Sequence, residues 1–295
     1  MTTVSKAARR PRARAFLDMI AFEHSVFSLP FAYLAIWFAA GGAPTAAQVG
    51  WVTLAMVSAR TVAMAANRII DRRLDATNPR TATRELVTGA VSVRAAIGGA
   101  AAALAAFVLA AFQLEPIVRP LIPVALIPLI GYPYLKRFTW ACHFGLGLAQ
   151  AIAPVGAWLA VSGEWSLAGI ALGLAVGVWV TGFDLIYATQ DVAHDRASGI
   201  HSIPADFSVP IALRLSAALH VATVALLGAV GFLLGLGALW WLAVAVAAGA
   251  LTYEHTLVAP DDLSRVNRAF FTVNGWIGVL VGALGITESI LRSSG

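Results

Sequence analysis

Apolar residues follow one another along this chain in runs too long for strands and too unbroken for the one-sided face of a soluble helix. A helix rises about 1.5 Å per residue, so roughly 20 mostly apolar residues cross about 30 Å of hydrocarbon. With Gly, Pro and charge clusters as punctuation, nine transmembrane helices are expected, near 16–40, 47–70, 92–113, 116–135, 139–162, 165–190, 208–234, 237–258 and 264–291. The fourth, PIVRPLIPVALIPLIGYPY, carries four prolines ahead of its final GYPY and is expected to be bent or shortened. The expected fold is all-α: one polytopic bundle at 16–291 around a central cavity, preceded by a basic tail at 1–15.

Composition turns that pattern into a class. Of 295 residues 59% are hydrophobic and 12% charged, with a mean hydropathy of +0.80, which excludes an ordinary soluble domain and makes the lipid bilayer the first partner. No nucleic-acid partner is expected. Lys and Arg gather in the tail (Lys6, Arg9, Arg10, Arg12, Arg14), after the second span (Arg72, Arg73, Arg80, Arg84) and at Lys136, Arg137, Arg196, Arg265 and Arg268. The positive-inside rule assigns all of these to the cytoplasm, with the N-terminus inside the cell and the cavity opening to that side of the plasma membrane. The basic start lacks a small-residue cleavage site and reads as a retained tail. The single Cys142 excludes an intrachain disulfide.

Charges in a membrane chain mark function, and here they are ordered. Asn67, Asp71 and Asp75 recur every four residues, so on a helix each is offset by about 40° from the last and together they form one polar stripe. Asp184, Asp191 and Asp195, with Tyr187, do the same near the end of the sixth span. Carboxylates at a helix C-terminus oppose its dipole unless a cation offsets them. Mg2+ suits them, since it is held by one or two carboxylates, waters and phosphate oxygens, and the surrounding Arg and Lys suit phosphate. Zinc does not fit, because none of the six histidines pairs at i, i+4 beside a carboxylate set. His194, between Asp191 and Asp195, is expected to point away from their stripe.

Three segments, NRIIDRRLDATNPRTATREL, GYPYLKRFT and DLIYATQDVAHDRASGIHSIP, resemble the signature segments of the UbiA superfamily of intramembrane aromatic prenyltransferases. The likeness is strongest to its bacterial quinone branch, the 4-hydroxybenzoate polyprenyltransferase-like enzymes and their relatives in futalosine-dependent menaquinone synthesis. It begins at FEHSVFSLPFAY and runs through the sixth span. The resemblance implies that Asn67, Asp71, Asp75, Asp191 and Asp195 hold Mg2+ on a polyprenyl diphosphate, that Arg72, Tyr132 and Lys136 contact that diphosphate, and that Asp184 and Tyr187 line the cavity. Arg68 stands where some members carry Asp, so residue 68 takes no metal role.

The implied reaction transfers the allylic group to the ring of an aromatic hydroxy acid, either 4-hydroxybenzoate or a dihydroxynaphthoate, for ubiquinone or menaquinone. Glu23 and His24 either orient the phenolic acceptor or form a packing pair; Arg137 either binds the acceptor carboxylate or meets lipid headgroups. The segments at 76–92 and 196–208 are expected to cap the mouth, with Arg80 or Arg84 and His201 or Ser202 facing it. Trp140, Trp158, Trp165, Trp240 and Trp241 read as interfacial anchors. The competing class is a membrane transporter with a cytoplasmic-face acidic site, but transporters place their charges near the midplane on broken helices.

Overall fold

The computed structural model describes residues 12–20 and 29–294. Among them lie thirteen α-helices: α1 (Arg12–Met19), α2 (Leu29–Ala40), α3 (Ala46–Thr77), α4 (Glu85–Thr88), α5 (Val93–Phe112), α6 (Ile122–Leu135), α7 (Cys142–Ser162), α8 (Leu167–Ala188), α9 (Val192–Ser198), α10 (Ile203–Asp206), α11 (Val209–Leu234), α12 (Ala238–Thr256) and α13 (Asn274–Ser294). A six-residue π-helix, Arg268–Val273, leads into α13, and no strand occurs among the described residues. The protein is an all-helical, multi-pass membrane protein. Six helical stretches of the described chain are long and apolar enough to cross a bilayer, while α2 and α6 are shorter apolar helices.

The departures from the expected spans have local causes. α3 runs to Thr77, seven residues past the expected end, because Asn67 to Thr77 contains no Gly or Pro and every residue tolerates a helix. It starts in a capping box, Thr45 with Gln48, and stops at Asn78, which Pro79 holds extended at φ −93°, ψ 119°. In the expected fourth span, a 3-10 turn at Pro116–Val118 and Pro120 leave only the 14 residues of α6. The first expected span is represented by α1 and α2; residues 21–28 between them lie outside the described residues, and with them Glu23 and His24.

α8 is the central helix, with 78% of its most apolar window buried, between α7 on one side and α11 on the other. Small residues permit the approach to α7. A Cβ on Gly147 would lie 2.1 Å from Thr181 Oγ1 and 2.5 Å from the Gly177 carbonyl oxygen, and one on Gly173 would lie 2.8 Å from that of Ala151. Trp158 and Trp240 are not interfacial anchors: they are 6% and 0% exposed. Trp240 donates Nε1 to the Leu227 carbonyl at 3.1 Å and stacks edge-on against Phe38, and Trp158 covers Gly169. A glycine opposite each indole makes room for it in the bundle.

Candidate active site

The two acidic stripes meet. Asn67, Asp71 and Asp75 on α3, Asp191 in the 3-10 turn Thr189–Asp191, and Asp195 on α9 line a single pocket of about 140 Å³ with Asn78, Arg80, Thr81, Arg84, Lys136, His194 and Ile200. α3 is unbroken through its motif, whereas α8 tightens into that 3-10 turn before α9 resumes, so of the second pair Asp191 closes the joint and Asp195 lies past it.

Every carboxylate of the pocket has a named partner. Asp71, 1% exposed, accepts from Lys136 Nζ at 2.6 Å, from Arg137 at 3.0 Å and from Asn67 Nδ2 at 3.2 Å. Asp75 pairs with Arg84. Asp191 takes a fork from Arg80, Nε to Oδ1 at 3.0 Å and Nη2 to Oδ2 at 2.5 Å, and Asn78 Nδ2 donates to the same Oδ1 at 3.0 Å. Asp195 accepts from Ser202 Oγ at 2.9 Å. Arg80 also donates to the Tyr187 hydroxyl at 2.9 Å, and its guanidinium lies over that ring. Burial is the largest single influence on Arg80 and would lower its pKa; the Asp191 hydrogen bond together with the charges of Asp191 and Asp75 and the Tyr187 hydroxyl outweighs it and holds the group above its ordinary value.

Several expected contacts fall elsewhere. Arg72 is turned out of the pocket and donates Nε to the Leu86 carbonyl at 2.9 Å, since one residue off the stripe is 100° around the helix. Arg80 and Arg84, from the turn after α3, stand in the pocket wall instead. Arg137 is not among the residues of the pocket wall: besides Asp71 it bonds the carbonyls of Ile70 and Pro133, tying α6 to α3. Tyr132 lines a second, apolar cavity of about 510 Å³, bounded by α3, α5, α6, α7 and α8, which also receives Arg60 and Gln150. His194 does line the pocket, because residues three apart on a helix share a face and it follows Asp191 by three. Asp184 is bonded to His143 Nδ1 at 2.7 Å, and the other ring nitrogen meets the backbone N–H of Ile203 at 3.4 Å. His201 faces Asp206 at 3.0 Å, so of the second capping segment it is Ser202 that turns inward.

Sequence reasoning missed His143 and Asn78. His143 sits in the first turn of α7 with no periodic partner to mark it. Asn78 reads as a helix stop ahead of Pro79, and an amide at such a stop is the signal that was available.

Fold and site together define a class: a polytopic helical membrane protein whose polar, acid-and-base-lined pocket lies at one end of an apolar bundle. Residues 28–276 match the model of the UbiA prenyltransferase family. A 4-hydroxybenzoate octaprenyltransferase of Aromatoleum aromaticum is 34% identical over 250 residues, covering 84% of this chain and 83% of its own. One from Methylococcus capsulatus is 30% identical and covers 93% and 94%. The apo structure of a UbiA homolog from Aeropyrum pernix K1 superposes with a TM-score of 0.82 at 35% identity, over 90% of this chain and 98% of that one. A UbiA homolog from Archaeoglobus fulgidus, bound to GPP and Mg2+, shares the fold with a TM-score of 0.75 at 20% identity, over 93% and 99%. The chain belongs to the UbiA prenyltransferase family.

Proposed function

We propose that the protein transfers a polyprenyl group from a prenyl diphosphate to the ring of an aromatic hydroxy acid in quinone biosynthesis, with 4-hydroxybenzoate as the acceptor its relatives' names favour. The observation that carries this reading is the convergence of two carboxylate pairs and three cations, Arg80, Arg84 and Lys136, on one pocket at the end of a bundle that also holds a large apolar cavity. A donor that is both anionic and greasy needs both.

The donor set fits magnesium. Among the described residues no three acidic, histidine or cysteine side chains converge on one point, so the chain does not by itself enclose a cation. Oxygen ligands offered in two pairs suit an ion that completes its shell with water and phosphate. Asn67, Asp71, Asp75, Asp191 and Asp195 are its proposed ligands; when bound, the metal supplies Lewis-acid neutralisation of the leaving diphosphate.

The chain's own residues do the rest. Lys136, Arg80 and Arg84 present fixed positive charge to the departing oxygens, where preorganised charge acts most strongly. The apolar lining of the larger cavity keeps water from the allylic cation. Asp184, held by His143, is assigned to the acceptor in this reading and Tyr187 to the wall under Arg80, neither of them among the residues that line the larger cavity; the ring attacks the allylic carbon and then loses its proton. We assign nine membrane-spanning segments, a cytoplasmic N-terminus and a mouth facing the cytoplasm, from the placement of Lys and Arg.

The test is a radiolabelled prenyl diphosphate assay with 4-hydroxybenzoate and with dihydroxynaphthoates. Transfer to one acceptor is expected, and its loss with EDTA or in Asp71→Ala with Asp191→Ala. Transfer that survives either treatment overturns the reading.

A further inference from the structure

Deeper than the mouth, α8, α12 and the start of α13 meet in a buried polar cluster that the proposed reaction does not use. Asn274, 0% exposed, is its centre. Its Oδ1 accepts from Trp179 Nε1 at 2.7 Å, and its Nδ2 faces Glu254 Oε1 at 2.9 Å and the carbonyls of Ala269 and Phe270 at 3.1 and 3.2 Å. Glu254 is equally buried. A carboxyl group and an amide in this place cost stability that apolar side chains would not, so packing alone is a poor account of them.

What the cluster holds is the π-helix Arg268–Val273. Such wide turns are rare and occur mostly as isolated insertions, frequently at functional sites. The Asn274 amide reaches back to two successive carbonyls inside this one, five and four residues earlier, and Trp179 and Glu254 fix the amide from α8 and α12. The turn carries Phe270, whose ring centroid lies 4.1 Å from that of Tyr187 and 5.1 Å from that of Phe183. The Tyr187 ring also carries the Arg80 guanidinium, 5.0 Å from its centroid, and Arg80 forks onto Asp191. An unbroken series of contacts thus runs from Glu254 to the acidic pocket.

We propose that Asn274 and Glu254 are positioning residues for the donor side of the pocket: they set the wide turn, the turn sets Phe270 against Tyr187, and Tyr187 with Arg80 fixes Asp191. This rests on the reading of Asp191 and Arg80 as part of the prenyl diphosphate site.

The experiment compares purified wild-type protein with Asn274→Ala, Glu254→Ala, Glu254→Gln and Phe270→Leu, measuring KM for prenyl diphosphate and for the aromatic acid separately, with melting in detergent alongside. Loss of one link is expected to raise the donor KM about three- to tenfold, the worth of one net hydrogen bond, and to leave the acceptor KM in place. Glu254→Gln keeps an oxygen facing Asn274 and is expected to restore the donor KM. Asn274→Ala combined with Arg80→Lys is expected to be less than multiplicative, since both act on one series of contacts. An unchanged donor KM in Asn274→Ala, or in Phe270→Leu should the former not fold, overturns the inference even if melting falls. Absence of any transfer by wild-type protein overturns the functional reading and this inference with it; transfer by wild type with unmoved variants overturns this inference alone.

Discussion

Replacing Arg80 with Lys keeps the charge and removes the fork. The guanidinium makes three hydrogen bonds at once, two to Asp191 at 3.0 and 2.5 Å and one to the Tyr187 hydroxyl at 2.9 Å. An ammonium on a flexible stem matches a carboxylate as a point charge and does not reproduce that planar geometry. Two bonds are therefore lost, both from a charged donor, worth about 3–6 kcal/mol together if fully buried. The Arg80 side chain is 33% exposed, and solvent screening reduces the figure to about 1–2 kcal/mol. Lost donor binding of that size lowers kcat/KM roughly 5- to 30-fold. The assay is steady-state prenyl transfer in membranes at varied donor concentration, with Arg80→Ala as the limiting case. The reasoning is refuted if Arg80→Lys matches wild type, or if it falls as far as Arg80→Ala, since then geometry or charge alone would account for the site.

Three further outcomes follow from contacts already described. Arg72→Ala loses one bond to the Leu86 carbonyl, so about 1 kcal/mol of stability is expected to go while the donor KM stays; a clearly raised KM would return Arg72 to the pocket. Trp240→Phe removes the Nε1 bond to Leu227 and is expected to cost about 1–2 kcal/mol, read as a lower melting temperature in detergent with unchanged kinetics. Gly147→Val forces a branched side chain against Thr181 and the Gly177 backbone, so α7 and α8 must separate; a loss of about 3 kcal/mol or failure to insert is expected, and wild-type melting would show that the close approach is not needed.

Periodicity and charge spacing carried most of the site because they are helical properties. Asn67, Asp71 and Asp75 lie on one stripe in an unbroken helix, as a spacing of four requires. What spacing does not carry is direction in the connections. Arg80 and Arg84 enter the pocket because Pro79 ends α3 and turns the chain back over its own acids, in line with the cap expected of 76–92, whereas a charge count alone does not set them apart from Arg72. The tryptophans show the same limit. Trp240 and Trp241 are neighbours in sequence, yet one is fully buried and the other 37% exposed, a difference decided by Gly231 and Gly285 on other helices. Two of the histidine contacts, His143 with Asp184 and His220 with His255, join positions 41 and 35 residues apart, beyond the reach of any local pattern.

The unequal construction of the two acidic motifs has a consequence for how the pocket accepts variation. One motif is bolted to a 32-residue rod whose far end is anchored by a capping box; the other straddles the end of a three-residue joint, with Asp191 in it and Asp195 beyond, and is steadied by a short strap, Gly199 to Ser202, whose backbone is tied to Lys136 by the 2.8 Å bond from His201. The pocket is in effect a vice with one fixed jaw and one adjustable jaw. Substitutions on the 189–202 side are therefore expected to shift the spacing between the two jaws, whereas the α3 side serves as the datum from which that spacing is set.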